Sequence, residues 1–329
     1  MAGVVPDAPS KQARRIERVL RLVRFRALVD LIPASALGVQ IARFLINVVT
    51  RLGGRPRGIW AEPVQTHNEG HEVLGEWVRP PGVGNDGAAI LYLHGSGYVL
   101  ASPKTYRAMV GRLSRLTGLP VFVPAYRLAP EHPFPAAADD TLAAYRWLQK
   151  QGFSPDRIVV AGDSAGGHLA IGLAAASCRE HELEPPAGLV LISPLVDHTF
   201  TVAEARKSER EDPLFSAALA RRLVALSTTA GEASDPRLAL LDGDGKDLPP
   251  ILLQAGGLEL LRADAELFAE LVNGAGGSCE LQIWPGQIHV FQILLDRVPE
   301  ANAALRDVAR FVRSVTQPAA VDQPAADSS

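Results

Sequence analysis

The chain has 329 residues, of which 47% are hydrophobic and 21% charged, so it is long enough to bury a large core as one α/β domain. A net charge of −3 gives no overall nucleic-acid footprint, and two cysteines, Cys178 and Cys279, do not make a disulfide framework. We find neither a signal-peptide pattern nor an apolar run long enough to span a bilayer, and we expect a cytoplasmic protein.

The first 57 residues differ in charge from the rest of the chain. They include 11 basic and 3 acidic residues, a net charge of +8, which leaves −11 on the remainder. The pattern predicts two helices here, near Lys11–Val29 and Ser35–Leu52. The first is basic and amphipathic. Such a helix either contacts a lipid surface or docks on its own protein with its arginines in water, and we favour the second interpretation.

From about residue 60, short apolar runs alternate with helical patterns. Strands are predicted at Glu72–Val78, Ala88–Leu93, Val121–Pro124, Ile158–Ala161, Leu189–Ser193, Ile251–Gln254 and Glu280–Trp284. Helices are predicted near Thr105–Thr117, Ala136–Lys150, Ala165–Cys178, Ala263–Asn273 and Pro299–Val315. This alternation predicts an α/β fold with a mostly parallel central sheet that helices cover on both faces.

The alternation stops after the strand that ends at Ser193. From Asp197 to about Asp247 there is no strand pattern, but a charged stretch is followed by a helix pattern at Ser216–Leu226. We therefore expect an insertion between two strands of the sheet. At the end of the chain, residues 317–329 are polar and interrupted by prolines, which predicts a disordered tail.

The sequence GDSAGG follows the strand that begins at Ile158 and precedes a helix. It fits the pattern G-x-S-x-G, in which small residues allow a tight strand-to-helix turn that exposes the serine. Ser164 is therefore the candidate nucleophile. At the start of the helix, the backbone N–H of Ala165 would point toward the reacting group.

The sequence HGSG follows the strand Ala88–Leu93, about 70 residues before Ser164. In α/β hydrolases, a loop after an earlier strand supplies backbone donors to the oxyanion. We expect this loop, which also contains Gly95, to place the N–H groups of Ser96 and Gly97 there, with Ala165 as a third donor. A glycine turn that merely leaves the strand is the alternative.

A serine nucleophile needs a base, because its hydroxyl does not ionise at neutral pH. His289 follows the last predicted strand, where the chain order serine, acid, histidine places that base. For the acid we favour Glu259, after the strand Ile251–Gln254, over Asp264 in the following helix and Asp197 after the preceding strand. Histidines in polar or loop stretches are expected in solvent: His67, His71, His181 and His198.

Together these motifs resemble the hormone-sensitive-lipase-like carboxylesterases, bacterial family IV. The segments that carry the resemblance, within roughly residues 88 to 313, are LYLHGSGYVLAS, VPAYRLAPEHPFPAAADD, VVAGDSAGGHLA, LISPLVD and PGQIHVF. The chain departs from the family pattern twice. Ser96 replaces the second glycine of HGGG but keeps its N–H group, and Glu259 stands where the family usually has aspartate.

The resemblance implies the α/β-hydrolase fold with a helical cap. The cap would comprise residues 1–57 and an insertion at about 197–247, and the catalytic domain residues 58–316. The resemblance matches Ser164 to the nucleophile, His289 to the base, and Ser96, Gly97 and Ala165 to the oxyanion donors. No metal or cofactor is expected.

The expected function is hydrolysis of short- to medium-chain carboxylic esters through an acyl-enzyme. Deacetylation and lactone or amide hydrolysis of a small metabolite are alternatives. A non-catalytic small-molecule receptor of the same fold is a further alternative, against which His289 argues. The expected partner is a small ester and not nucleic acid. Membrane contact by the N-terminal helix is the less favoured interpretation, and a homodimer is left open.

Overall fold

The computed structural model describes residues 5–31, 33–52, 58–84, 87–179, 183–205, 211–228, 235, 237–242 and 245–317. The predicted tail therefore lies outside the described residues from 318 onward, and so does His181. Within the described ranges, no helix is both long and apolar enough to cross a membrane.

The centre of the molecule is a single eight-stranded sheet. Its strands are β1 (Trp60–Asn68), β2 (His71–Arg79), β3 (Ala89–Leu93), β4 (Val121–Pro124), β5 (Ile158–Asp163), β6 (Gly188–Ile192), β7 (Ile251–Gly256) and β8 (Cys279–Trp284). Their spatial order is β1-β2-β4-β3-β5-β6-β7-β8, with β2 antiparallel to both its neighbours and all later pairs parallel. The predicted α/β fold with a mostly parallel sheet is thus confirmed.

Helices lie before, between and after these strands. They are α1 (Lys11–Leu22), α2 (Phe25–Asp30), α3 (Ala36–Leu52), α4 (Pro103–Thr117), α5 (Ala136–Lys150), α6 (Ala165–Arg179), α7 (Thr201–Ala205), α8 (Ala217–Val224), α9 (Arg262–Gly274) and α10 (Pro299–Thr316). The helix predicted over Lys11–Val29 is in fact two. Arg24 has a left-handed backbone (φ 51°) and separates α1 from α2.

Each face of the sheet is covered by its own set of helices. Along β3, Leu91 points into a core with α5, α6 and α9, whereas Ile90 points into a second core with α4 and α10. Strands β3 to β7 are buried along their full length, which explains their continuous apolar sequences.

Helix α1 docks on the end of the chain. Ala13, with Ile16 and Leu20, packs into a cluster that contains Trp284 and Phe291. At the start of the helix, the backbone N–H and the hydroxyl of Ser10 donate hydrogen bonds of 2.6 and 2.9 Å to the carboxylate of Glu300. The inner face of α1 is therefore docked on its own protein, and the two interpretations differ only in what its outer, basic face contacts.

The N-terminal helices also contact the insertion. The Asp30 carboxylate accepts hydrogen bonds from the N–H and the hydroxyl of Ser216, at 3.2 and 2.9 Å, and Arg222 donates to the Asp30 carbonyl. Ser216 caps α8 inside the insertion. These contacts suit a cap built from both segments. Its bounds at residues 1–57 and about 197–247 stay a prediction.

Candidate active site

Ser164 occupies the turn between β5 and α6 with a left-handed backbone, φ 51°. The flanking glycines permit this turn, because an added Cβ on Gly162 would lie 2.3 Å from the carbonyl oxygen of Gly166. A Cβ on Gly166 would lie only 1.9 Å from the carbonyl oxygen of Leu93 in β3. The chain thus has the local geometry of a nucleophile elbow, in which the serine projects from the carboxyl end of the sheet.

His289 and Glu259 lie side by side on loops that follow neighbouring strands. His289 follows β8 and Glu259 follows β7. Atom Nδ1 of His289 is 3.7 Å from Oε2 of Glu259, and the Glu259 side chain is fully buried. This separation is an ion-pair distance once His289 is protonated, although it is longer than a hydrogen bond.

The surroundings of His289 favour its charged form. Burial lowers the pKa of the imidazole, but the interaction with Glu259, followed by the charges of Asp212 and Asp163, raises it by more. The ring also meets Phe215 edge to face, with ring centroids 5.1 Å apart. An imidazole that gains protons readily and has a fixed orientation suits a general base.

Besides His289, a buried serine hydroxyl contacts the carboxylate of Glu259. The Ser193 hydroxyl, at the end of β6, donates a 2.7 Å hydrogen bond to Oε2 of Glu259. The same hydroxyl accepts a 3.1 Å bond from the N–H of Val290, the residue after His289. Ser193 was not among the predicted site residues. The available signal was a polar residue at the end of a buried apolar strand.

The two rival acids form other contacts. The carboxylate of Asp264 accepts hydrogen bonds from the backbone N–H groups of Val196 and Asp197, at 3.1 and 3.0 Å. Burial, with smaller contributions from Asp197 and Glu259, raises the pKa of Asp264 to about 7. Asp197 accepts from the N–H groups of Thr199 and Val202. Both carboxylates therefore brace the loop after β6.

The loop His94–Gly97, the candidate oxyanion loop, has an unusual backbone. Ser96 and Gly97 are left-handed, with φ of 79° and 64°. Within the described chain, the backbone N–H groups of Ser96, Gly97 and Ala165 form no hydrogen bond, so they are available to a ligand. Gly95 is required by close packing, since an added Cβ would lie 2.3 Å from a carboxylate oxygen of Asp163.

Asp163, the last residue of β5, fixes this loop against the strand that precedes Ser164. It accepts hydrogen bonds from the hydroxyls of Tyr92 and Tyr106, each 2.8 Å, and from the N–H of Gly95 at 3.1 Å. Burial raises the pKa of Asp163 to about 6, although these hydrogen bonds oppose the shift. Asp163 was not among the predicted site residues, and its signal in the sequence is a carboxylate directly before the candidate nucleophile.

One histidine prediction was wrong. His198 was expected in solvent, but its Nε2 lies 2.9 Å from the Tyr98 hydroxyl, and its ring contacts that of His168 edge to face, with ring centroids 4.1 Å apart. Burial lowers the pKa of His198 to about 4. The loop after β6 folds inward here, which a polar local sequence does not reveal.

Among the described residues, no group of histidine, cysteine or acidic side chains is arranged to hold a metal ion.

Known proteins share this sequence and architecture. Residues 90–293 match the family described as the alpha/beta hydrolase fold. The crystal structure of an esterase from the bacterial hormone-sensitive lipase family superposes with a TM-score of 0.80 and 32% identity, covering 94% of this chain and 100% of that one. This chain belongs to the bacterial hormone-sensitive lipase family within the alpha/beta hydrolase fold.

Two relatives extend the comparison. The chain is 38% identical over 250 residues to the carboxylesterase/phospholipase LipF of Mycobacterium tuberculosis (strain ATCC 25618 / H37Rv). The matched region covers 73% of this chain and 66% of LipF. It is 36% identical over 241 residues to an acetyl-hydrolase of Streptomyces hygroscopicus, which covers 73% of this chain and 80% of that one. The resemblance to hormone-sensitive-lipase-like esterases is confirmed. The prediction of a carboxylic ester hydrolase is also confirmed, at the level of the family.

Proposed function

We propose that this chain is a serine carboxylesterase for short- to medium-chain esters, with Ser164 as nucleophile, His289 as base and Glu259 as acid. The observation that carries the proposal is the meeting of three strand ends. Ser164 stands on a left-handed turn after β5, while His289 and Glu259 lie 3.7 Å apart after β8 and β7. Ligands bind at this edge of open α/β sheets.

In the proposed reaction, His289 takes the proton of the Ser164 hydroxyl as its oxygen attacks the ester carbonyl carbon. The C=O electron pair moves onto the oxygen, which accepts hydrogen bonds from the N–H groups of Ser96, Gly97 and Ala165. When the C–O bond breaks, His289 returns the proton to the leaving alcohol. Water then hydrolyses the acyl-enzyme with the same base, and Glu259 stabilises the imidazolium in both steps.

The names of the relatives bear on the substrate. An acetyl-hydrolase at 36% identity supports a short acyl group, and so favours deacetylation of a small metabolite as the second candidate function. Both candidates use the same triad. A panel of p-nitrophenyl esters of increasing acyl length, followed by acetylated metabolites, would separate them.

The test of the triad is covalent capture by an organophosphonate. We expect one adduct per chain, on the peptide that contains Ser164, with complete loss of esterase activity. Ser164→Ala should lower kcat by about 10⁶-fold, as for the nucleophile of another serine hydrolase. Ser177→Ala is a matched control, because its hydroxyl bonds the Ala174 carbonyl inside α6, and it should keep its activity. An adduct on a different residue would refute the proposal.

A further inference from the structure

The N-terminal helices carry most of the exposed apolar surface. Of the fourteen large apolar side chains that are exposed among the described residues, ten lie between Val19 and Leu45. The other four are dispersed over the remaining elements. A concentration of this kind on one part of a water-exposed protein marks an interaction site.

Helix α3 turns an apolar face away from the protein. Its opposite side is fixed, because Val39 is buried and Arg43 donates hydrogen bonds of 2.7 and 2.6 Å to the carbonyls of Val99 and Ala129. The outward residues follow helical spacing and are between 52% and 67% exposed: Leu37, Ile41, Phe44 and Leu45. The helix is thus already docked, and this apolar face is not the one that docks it.

Helices α1 and α2 repeat this arrangement. The inner face of α1 packs on the cluster around Trp284, as described above. Large side chains on the outside are between 48% and 80% exposed: Val19, Leu22, Val23, Leu28 and Leu31. The apolar positions therefore continue along the chain from the second half of α1 into α3.

Unpaired positive charge accompanies this apolar surface. Five basic side chains in and beside α1 are exposed and form no ion pair with another described residue: Lys11, Arg14, Arg15, Arg18 and Arg24. The chain outside residues 1–57 has a net charge of −11, so the positive charge is concentrated here.

We propose that the outward side chains of α1, α2 and α3, from Lys11 to Leu45, form a docking surface for an anionic lipid surface. The apolar side chains enter the boundary between headgroups and acyl chains, and the basic ones contact the phosphates. A second copy of the chain fits this surface less well, because a two-fold contact would place the same unpaired arginines against each other. The inference does not depend on the triad.

The experiment is vesicle co-sedimentation of the full chain, with Ser164→Ala so that no lipid is consumed. The probes are vesicles of phosphatidylcholine alone and of phosphatidylcholine with roughly 30% phosphatidylglycerol, which supplies the anionic surface. We expect binding to the second kind only, and we expect added salt to weaken it because salt screens the charges.

Paired variants locate the contact. Arg15→Gln with Arg18→Gln should weaken vesicle binding about 25-fold, since each basic residue near an anionic surface contributes about fivefold. Lys150→Gln with Arg310→Gln also removes two positive charges, from 54% and 45% exposed side chains outside the N-terminal helices, and should bind as the parent does. Leu28→Ser with Leu31→Ser should lose binding as well. With Ser164 intact, all three should keep their activity on a soluble ester, which shows that they fold.

Three results would overturn the proposal. One is absence of binding to either kind of vesicle. Another is equal binding of the arginine variant and its charge control. The third is a dimer in sedimentation equilibrium that the Leu28 and Leu31 substitutions dissociate without any vesicle binding, which would assign the surface to a second copy.

Discussion

The Ser193 hydroxyl connects the candidate acid to the loop of the candidate base. It donates a 2.7 Å hydrogen bond to Oε2 of Glu259 and accepts a 3.1 Å bond from the N–H of Val290. Nδ1 of His289 lies 3.7 Å from the same carboxylate oxygen. Because Ser193 is fully buried, no water competes for its hydroxyl. It holds Glu259 and His289 in one fixed relation.

Ser193→Ala should lower kcat about 10- to 100-fold, because a hydrogen bond to a charged group contributes about 1.5–3 kcal/mol. KM should stay within about twofold, since Ser193 acts on the acid and not on the substrate. Steady-state kinetics with a soluble ester measures both. Ser177→Ala, the other buried serine hydroxyl used above, controls for general loss of stability. An unchanged kcat at saturating substrate would show that Ser193 serves packing alone.

The two nearby carboxylates should respond differently to neutralisation. Glu259→Gln should lower kcat by roughly 10⁴-fold, because the imidazolium formed at His289 loses its counter-charge. Asp264→Asn should stay within about tenfold, since the asparagine carbonyl can still accept from the N–H groups of Val196 and Asp197. The same ester assay compares them. The reverse ranking would make Asp264 the acid.

Ser96→Gly should leave kcat within about fivefold, because the expected donor is the backbone N–H. It should also raise the free energy of unfolding by about 0.5–1 kcal/mol. The left-handed backbone of Ser96, at φ 79°, destabilises the folded state. This loss of free energy is larger than the one that glycine causes through the extra conformational entropy of the unfolded chain. Gly95→Ala is the contrasting variant and should lose both stability and activity, since its Cβ would collide with Asp163. A hundredfold loss in Ser96→Gly would implicate the hydroxyl in the reaction.

The value of kcat/KM should fall as the pH is lowered, and the midpoint of this acidic limb should lie above pH 6.5 because the pKa of His289 is raised from that value. The base must be neutral to act, and the net effect of burial, Glu259, Asp212 and Asp163 is a raised pKa of His289. In Glu259→Gln the limb should move to lower pH, because burial still disfavours the imidazolium while its strongest stabilising partner is gone. Asp212→Asn should shift it in the same direction by less. A limb that moves upward in Glu259→Gln would contradict this account.

Sequence patterns predicted strands β3 to β7 because those strands are apolar and buried on both faces. They missed β1, which contains Pro63 and many polar residues and lies at the edge of the sheet. An edge strand tolerates proline, since one side of its backbone needs no partner. They also missed the break at Arg24, because no glycine or proline stands there to signal it.

The predicted site residues all follow strands. The sequence could indicate that they lie together, because parallel strands end at one edge of a sheet. It could not identify Ser193 or Asp163 as their supports. Ser193 meets Glu259 because β6 and β7 are neighbours, and Asp163 meets Gly95 because β5 lies beside β3. Such adjacency is a property of the assembled sheet. The roles of the triad and oxyanion residues stay predictions until the variants are measured.

The hydrogen bonds between Ser10 and Glu300 join positions 290 residues apart in the chain. At ribosomal elongation rates of 5–20 residues per second, α1 leaves the ribosome roughly 15 to 60 s before its binding site exists. During that interval the helix has an apolar face with nothing to cover it. The docking of α1 through Ser10 can therefore take place only after residue 300 has been synthesised.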